Sequence, residues 1–120
     1  MIGGPAKAQI DVAHRDGAIV VVIEGDIDLH VSGDVRERLL ALVNDSPTLV
    51  IDLSKVTGID SSGVASLLEA FQRASKRARI MVLAAASDSV MRVLRMARLD
   101  TVFKLAGTVE EALKPLAGKR

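Results

Sequence analysis

Short apolar runs alternate along this chain with stretches whose apolar residues recur every three or four positions, and that alternation lays out its elements. "AQIDVAHRDGAIVVVIEGDID" holds two extended runs around Asp16-Gly17, a dipeptide that favours a tight hairpin turn. In "HVSGDVRERLLALVNDSP", Val35, Leu39, Leu42 and Val43 repeat at helical spacing, with Ser32 as the expected cap and Pro47 closing the segment. "TLVIDL" is short, apolar and rich in β-branched residues, the pattern of a buried strand. From Gly63 onward, Val64, Leu67, Leu68 and Phe71 form an apolar helical stripe, while Ser66, Glu69, Arg73 and Lys76 are expected to project elsewhere. "RIMVLAAA" reads as a further buried strand. Ser87 then caps a helix with Val90, Val93, Leu94 and Ala97 in register, "TVFKL" reads as a short strand, and Thr108 with Glu111 makes a capping box for a last helix ending near Pro115.

Strand, helix and strand at this spacing imply parallel strands joined by right-handed crossovers. The expected fold is a single α/β domain whose amino-terminal hairpin opens a mixed β-sheet covered by about four helices. No internal repeat, low-complexity block or linker interrupts it. Residues 1–7, with Gly3, Gly4 and Pro5, and residues 117–120 are expected to be flexible ends.

Composition narrows the function. At 120 residues and 49% apolar, the chain has the size and hydrophobicity to bury one core, and with only Phe71 and Phe103 as aromatics that core rests on aliphatic side chains. Two aromatics offer no platform for stacking bases, and a net charge of +1 gives no field that would gather nucleic acid or anionic lipid, so another protein is the expected partner. The absence of cysteine excludes a disulfide framework and thiolate metal sites, and fits a reducing cytosol. The amino end lacks a basic region followed by an apolar run, and "AIVVVI" is too short to span a bilayer. A cytoplasmic protein without membrane insertion is expected.

The chemistry concentrates in "VIDLSKVTGIDSSGVASLL", where an apolar strand hands over to a helix through Asp60, Ser61, Ser62 and Gly63. One reading makes a serine the helix cap, with Gly58 and Gly63 easing the turn. The other makes a serine hydroxyl a phosphoacceptor, placed where open α/β sheets present their sites, at a helix amino end whose exposed amides tolerate a phosphate. Such a phosphate adds about −1.5 to −2 charges beside Asp60. The second cluster is "EGDIDLH", in which Asp26 and Asp28 follow Gly25. It is an ordinary turn, unless the strands ending at Gly25 and Leu53 are neighbours, in which case both acidic loops flank Ser61.

At these two clusters the chain resembles the STAS family, named for sulfate transporters and anti-sigma-factor antagonists. The family's Gly-Glu-Leu/Ile-Asp element is matched by Gly25, Asp26, Ile27 and Asp28, and its Asp-Ser-Ser-Gly element by Asp60, Ser61, Ser62 and Gly63. Asp26 replaces the commoner glutamate, and Val64-Ala65 the usual Leu-Gly. The resemblance runs from about Ala8 to Pro115, implying a STAS domain over 8–116. It implies an anti-sigma factor antagonist: unphosphorylated, it binds an anti-sigma factor, often a serine kinase of histidine-kinase-like ATPase fold, and releases a sigma factor. Phosphorylation at Ser61 switches it off, and a serine phosphatase restores it. Partner contacts carry over to Asp26, Asp28, Asp60, Ser61, Ser62 and Gly63, and a role in stress-responsive transcription follows. Within the family the alternative is a non-sigma adaptor, a stressosome scaffold or an accessory subunit of a transporter ATPase.

Other features weigh less. Arg73, Lys76, Arg77 and Arg79, with Arg92, Arg95 and Arg98, read as solvated helix faces or as contacts for an acidic partner surface. Leu39, Leu40, Leu42 and Val43 exceed one stripe, so Leu40 is a candidate for an exposed interface position. Catalysis finds no support: neither His14 nor His30 stands in a recognisable arrangement with a serine, no Gly-x-Ser-x-Gly elbow or phosphate-binding loop occurs, and His and carboxylates do not cluster for a metal. No cofactor is expected. An aspartate-phosphorylated receiver, with Asp52 joining Asp26 and Asp28 around Mg²⁺, is the alternative from another class, but it requires one more strand-helix unit than the chain provides and has no place for the opening hairpin.

Overall fold

The computed structural model describes residues 7–117, with side chains up to residue 115. Apart from Lys7 and Ala117, the ends expected to be flexible lie outside the described residues. Strands β1 (Gln9–Arg15) and β2 (Ala18–Ile27) form the hairpin. Its two turn residues, Asp16 and Gly17, have φ of 52° and 82°, the left-handed pair that matches the twist of the flanking strands. Helix α1 (Ser32–Val43), β3 (Thr48–Asp52), β4 (Val56–Ile59), α2 (Ser61–Lys76), β5 (Ile80–Ala84), α3 (Asp88–Met96), β6 (Lys104–Ala106) and α4 (Val109–Ala117) follow.

The sheet runs β1-β2-β3-β5-β6, antiparallel at β1-β2 and parallel elsewhere. β4 continues along the same β2: residues 19–22 pair with β3, and residues 25–27 pair with β4 across a bulge at Gly25/Asp26. β4 went unread in the sequence because "VTGI" is short, half polar and carries a glycine. β2 therefore runs on past Gly25 to Ile27, and Asp26 is a strand residue rather than part of a loop.

Helices α1, α2 and α3 cover one face of the sheet over a core that includes Ile19, Val21, Ile23, Leu39, Leu49, Ile51, Leu67, Leu83 and Leu94. α4 covers part of the other face, packing Val109 and Leu113 on Ala18, Val20, Val50 and Ala84. Coverage on both faces explains why the start of β2 is an unbroken apolar run rather than an alternating one. Phe71 meets Phe103 edge-on, with ring centroids 5.3 Å apart.

Several local expectations change. Ser32 does not cap α1; it lies in the first turn, buried, and Val31 is the cap residue without a side-chain bond. Thr101–Phe103 form a turn rather than a strand, because Phe103 folds back under Phe71 and its N–H bonds Leu99 O. α4 runs through Pro115 to Ala117. Leu40 is buried against the core, whereas among the described residues the large apolar side chains most open to solvent are Leu29 (76%) and Met96 (79%). Ser87 and Thr108 cap α3 and α4 as expected, donated to by the N–H of Val90 and of Glu111.

Candidate functional site

The site forms where β2 and β4 end side by side. Asp60 follows β4, and its N–H donates to Ile27 O at the end of β2 (3.3 Å). Its carboxylate, rather than a serine hydroxyl, caps α2: Oδ1 accepts from the N–H of Ser62 (2.9 Å) and of Gly63 (3.0 Å) and from the Ser62 hydroxyl (2.6 Å). Aspartate wins the cap because its reach to the second and third residues leaves Ser61 as the first residue of the helix. Oδ2 accepts from Leu29 N–H (3.2 Å), tying this loop to the one that follows β2.

These bonds, led by that from the Ser62 hydroxyl and then that from Gly63 N–H, hold the Asp60 carboxyl below its ordinary pKa of 3.8. A depressed folded pKa means that the cap's stabilisation is present in full above the ordinary value and is lost as pH falls through the folded one. Comparing wild type with Asp60→Asn by urea unfolding, we expect the variant to be less stable at neutral pH and the gap to narrow as pH falls below the ordinary carboxylate value toward the depressed one. A gap that persists unchanged in acid would show that the charge of Asp60 is irrelevant to the cap.

Asp28 organises the other loop. Its carbonyl accepts from Val31 N–H (3.1 Å) and Ser32 N–H (2.8 Å), and Oδ1 accepts from His30 N–H (2.9 Å), so the start of α1 is built on it. Asp26 is exposed and accepts from the Thr57 hydroxyl across the β2-β4 seam. Gly63 permits the whole arrangement: a Cβ there would lie 2.3 Å from Ile27 O and 2.6 Å from Ile59 Cγ1.

Two helix-helix ties reinforce the junction. Ser66, expected on the solvent side, is buried, and its hydroxyl lies 2.8 Å from Ser32 O in α1 and 3.0 Å from Ser62 O. Arg36 donates to Glu69 at 2.8 Å across the same pair of helices. The sequence offered no signal for the Ser66 contact, because its partner is a backbone carbonyl 34 residues away.

The outcome is a surface with two halves. Asp26, Asp28 and Asp60, with Ile27, Gly58 and Ile59, line an acidic depression of about 210 Å³. Ser61, Val64, Val93, Met96 and Ala97 line an apolar groove of about 380 Å³ between α2 and α3. Ser61 stands at the boundary, exposed, and its hydroxyl makes no hydrogen bond among the described residues. All six sequence-derived residues thus meet at one junction, although Gly63 and half-buried Ser62 support the surface more than they form it. Met96 and Leu29 were missed. A large apolar residue off the stripe of α3 was the available signal for Met96.

Asp52 lies elsewhere, lining a separate cavity with Arg15, Ser54, Thr108 and Glu110, so no receiver-like acidic trio forms with Asp26 and Asp28. Exposed Arg92 and Arg95 stand on α3, the helix that supplies Val93 and Met96 to the groove. Among the described residues no group of three or more His, Cys, Asp or Glu is placed to hold a metal ion, and no helix is long and apolar enough to cross a membrane.

The chain is similar to proteins already known. The family described as STAS domain matches residues 9–112. The anti-sigma-F factor antagonist RsfB of Mycobacterium tuberculosis is 32% identical over 120 residues, covering 99% of this chain and 98% of the relative. The anti-sigma-B factor antagonist of Bacillus subtilis is 26% identical over 101 residues, covering 84% of this chain and 93% of the relative. Among solved structures, an anti-sigma factor antagonist from Mycobacterium paratuberculosis superposes with a TM-score of 0.82 at 28% identity, covering 96% of this chain and 98% of that one.

Proposed function

This chain belongs to the STAS domain family, and from that premise we propose that it is an anti-sigma factor antagonist whose free form binds an anti-sigma factor and whose phosphorylation at Ser61 ends that binding. The relatives are named as antagonists rather than enzymes, and the proposed work is binding. Its place is the cytoplasm, where a sigma factor meets RNA polymerase.

The observation that carries the reading is the position of Ser61, an exposed hydroxyl without a bond among the described residues, between the apolar groove and the acidic depression. An anti-sigma factor that buries the groove must also cover Ser61, and Val64, Val93 and Met96 supply an apolar centre for that contact with charged residues around it. The amides of Ser62 and Gly63, expected to be open to a phosphate, are already taken by Asp60. A phosphate on Ser61 either displaces that carboxylate or projects into the contact surface, and both routes place new negative charge where a partner must dock. The partner is a serine kinase of histidine-kinase-like fold that docks here and phosphorylates the hydroxyl; a serine phosphatase resets the switch.

The deciding experiment is intact mass and peptide mapping after incubation with Mg-ATP and candidate kinases from the same genome, with Ser61→Ala alongside. One phosphoryl group on the Ser61 peptide, absent in the variant, is the expected result. No modification by any candidate, with Ser61→Ala binding its partner normally, would leave a constitutive adaptor instead. Separately, Met96→Glu is expected to weaken anti-sigma binding by about tenfold or more while changing stability by less than about 0.5 kcal/mol, because Met96 is almost wholly in solvent. Calorimetric titration and urea unfolding of the same sample read both quantities. Unchanged affinity would remove the groove from the contact.

A further inference from the structure

One edge of the sheet is β1, the other the three-residue β6, and the hairpin end of β1 lies at the far end of β2 from Ser61. Arg15 pairs with Ala18 across a two-residue turn, and such flanking pairs exchange both of their backbone hydrogen bonds. Counting back by twos, Ala13, Asp11 and Gln9 bond β2, so His14, Val12, Ile10 and Ala8 turn their N–H and C=O groups away from it. Contacts at the start of the strand agree. Ala8 N–H donates to Asp34 at 2.8 Å, and Arg38 donates to Ala8 O at 3.3 Å and to Ile10 O at 3.5 Å. Two side chains of α1 therefore occupy the first part of the edge. Among the described residues nothing covers the outward groups of Val12 and His14, and Val12 is 44% exposed.

We propose that this edge pairs with a second copy of the same chain, β1 against β1 in antiparallel register with Ala13 opposite Ala13 on the two-fold axis. Three features select the occupant and the register. The open part of the edge is centred on Ala13, since nearer the amino end the Ala8 N–H and the carbonyls of Ala8 and Ile10 are engaged and only the Ile10 N–H is left. In that register Val12 faces His14 of the other copy as a hydrogen-bonded pair, and both reciprocal pairs form, satisfying all four open groups on each copy's Val12 and His14. The same register sets Asp11 opposite Arg15, twice, on the sheet face where Arg15 already lies 3.4 Å from Glu110. A guanidinium has donors enough for both carboxylates.

Charges on a solitary edge ordinarily discourage pairing, but here they are complementary to the same strand turned about a two-fold axis. The paired segment, residues 11–15, lies opposite Ala18–Val22, whereas the Ser61 junction is at Ile27, so both copies keep that surface free. A seam this short gives a weak dimer, smaller than a standard interface.

The test is sedimentation velocity of the full 120-residue chain over concentrations from about 20 μM to 1 mM at low salt, with heteronuclear NMR on the same samples. Wild type is expected to shift toward dimer across that range, with amide shifts centred on Val12 and His14 and an intermolecular Hα–Hα contact between the two copies of Ala13. Val12→Pro deletes one outward N–H at a position where an edge strand accepts proline, and should leave a folded monomer. Asp11→Arg and Arg15→Asp should each weaken association by about tenfold or more, and mixing the two variants should restore it as a heterodimer. A wild-type chain that stays monomeric at every concentration overturns the proposal. So does a dimer indifferent to Val12→Pro, which would lie on another face, or one indifferent to both charge reversals, which would exclude this register.

Discussion

Ser61→Asp is expected to weaken binding of the cognate anti-sigma factor by about ten- to a hundredfold, with Ser61→Ala within about twofold of wild type. The asymmetry follows from the site. Alanine removes a hydroxyl that makes no hydrogen bond among the described residues, so the docking surface keeps its shape. Aspartate adds a charge beside Asp60, whose depressed pKa keeps it ionised, and that charge loses water when a partner covers the groove. The repulsion between the two carboxylates exists in the free chain as well, so only its strengthening as a docking partner excludes water and salt counts against binding, and that increment sets the expected range. Loss of solvation opposes docking whatever the partner presents. A phosphate carries up to twice the charge, and ~5.5 kcal/mol is what moves a two-state balance from 99:1 to 1:99. Unfolding does not mimic the effect, since an acid in the first turn of α2 suits the helix dipole. Titration calorimetry with each variant decides the matter. An aspartate variant that binds as wild type would falsify the electrostatic switch.

Gly63→Ala is expected to destabilise the domain by about 2–4 kcal/mol. In an ordinary helix the change would help, by up to about 1 kcal/mol of propensity. Here the new Cβ would sit 2.9 Å from Ile27 Cγ2 and 2.3 Å from Ile27 O, a backbone contact that no rotamer change can relieve. The carbonyl cannot easily retreat, because the same oxygen accepts from Asp60 N–H at the head of the helix. α2 must then move off the end of β2, loosening the bonds from Asp60 to Leu29 and from Ser66 to Ser32 as it goes. Urea unfolding monitored by circular dichroism measures the loss. An unchanged midpoint would mean that α2 and β2 are not pressed together in solution.

These two residues differ in how they could be found. Gly63 sits in a short motif, yet only the approach of a backbone carbonyl from β2 explains why the position must lack a side chain. The cap of α2 is similar. Asp60, Ser61 and Ser62 are all competent cap residues, and the choice of Asp60 depends on its second oxygen reaching Leu29, 31 residues earlier in the chain. Leu40 and Met96 exchanged roles for a related reason. Helical periodicity identifies which residues share a face, but which face is covered depends on neighbouring elements. α1 lies flat on the sheet and α2 and buries Leu40, while α3 presents Met96 at the rim of the groove.

By itself the sequence determined the hairpin at Asp16-Gly17, the alternation of strands and helices, most of the aliphatic core and the two acidic clusters, because each of these is written in residues within a turn or two of one another. The tertiary structure alone decided that β4 continues the pairing of β2, that Asp60 rather than a serine holds the helix, that Ser61 divides an acidic depression from an apolar groove, and that Val12 and His14 are left open at the edge. Those features join residues about 30 or more positions apart, or depend on what fails to cover them, and local patterns of hydrophobicity carry neither kind of information.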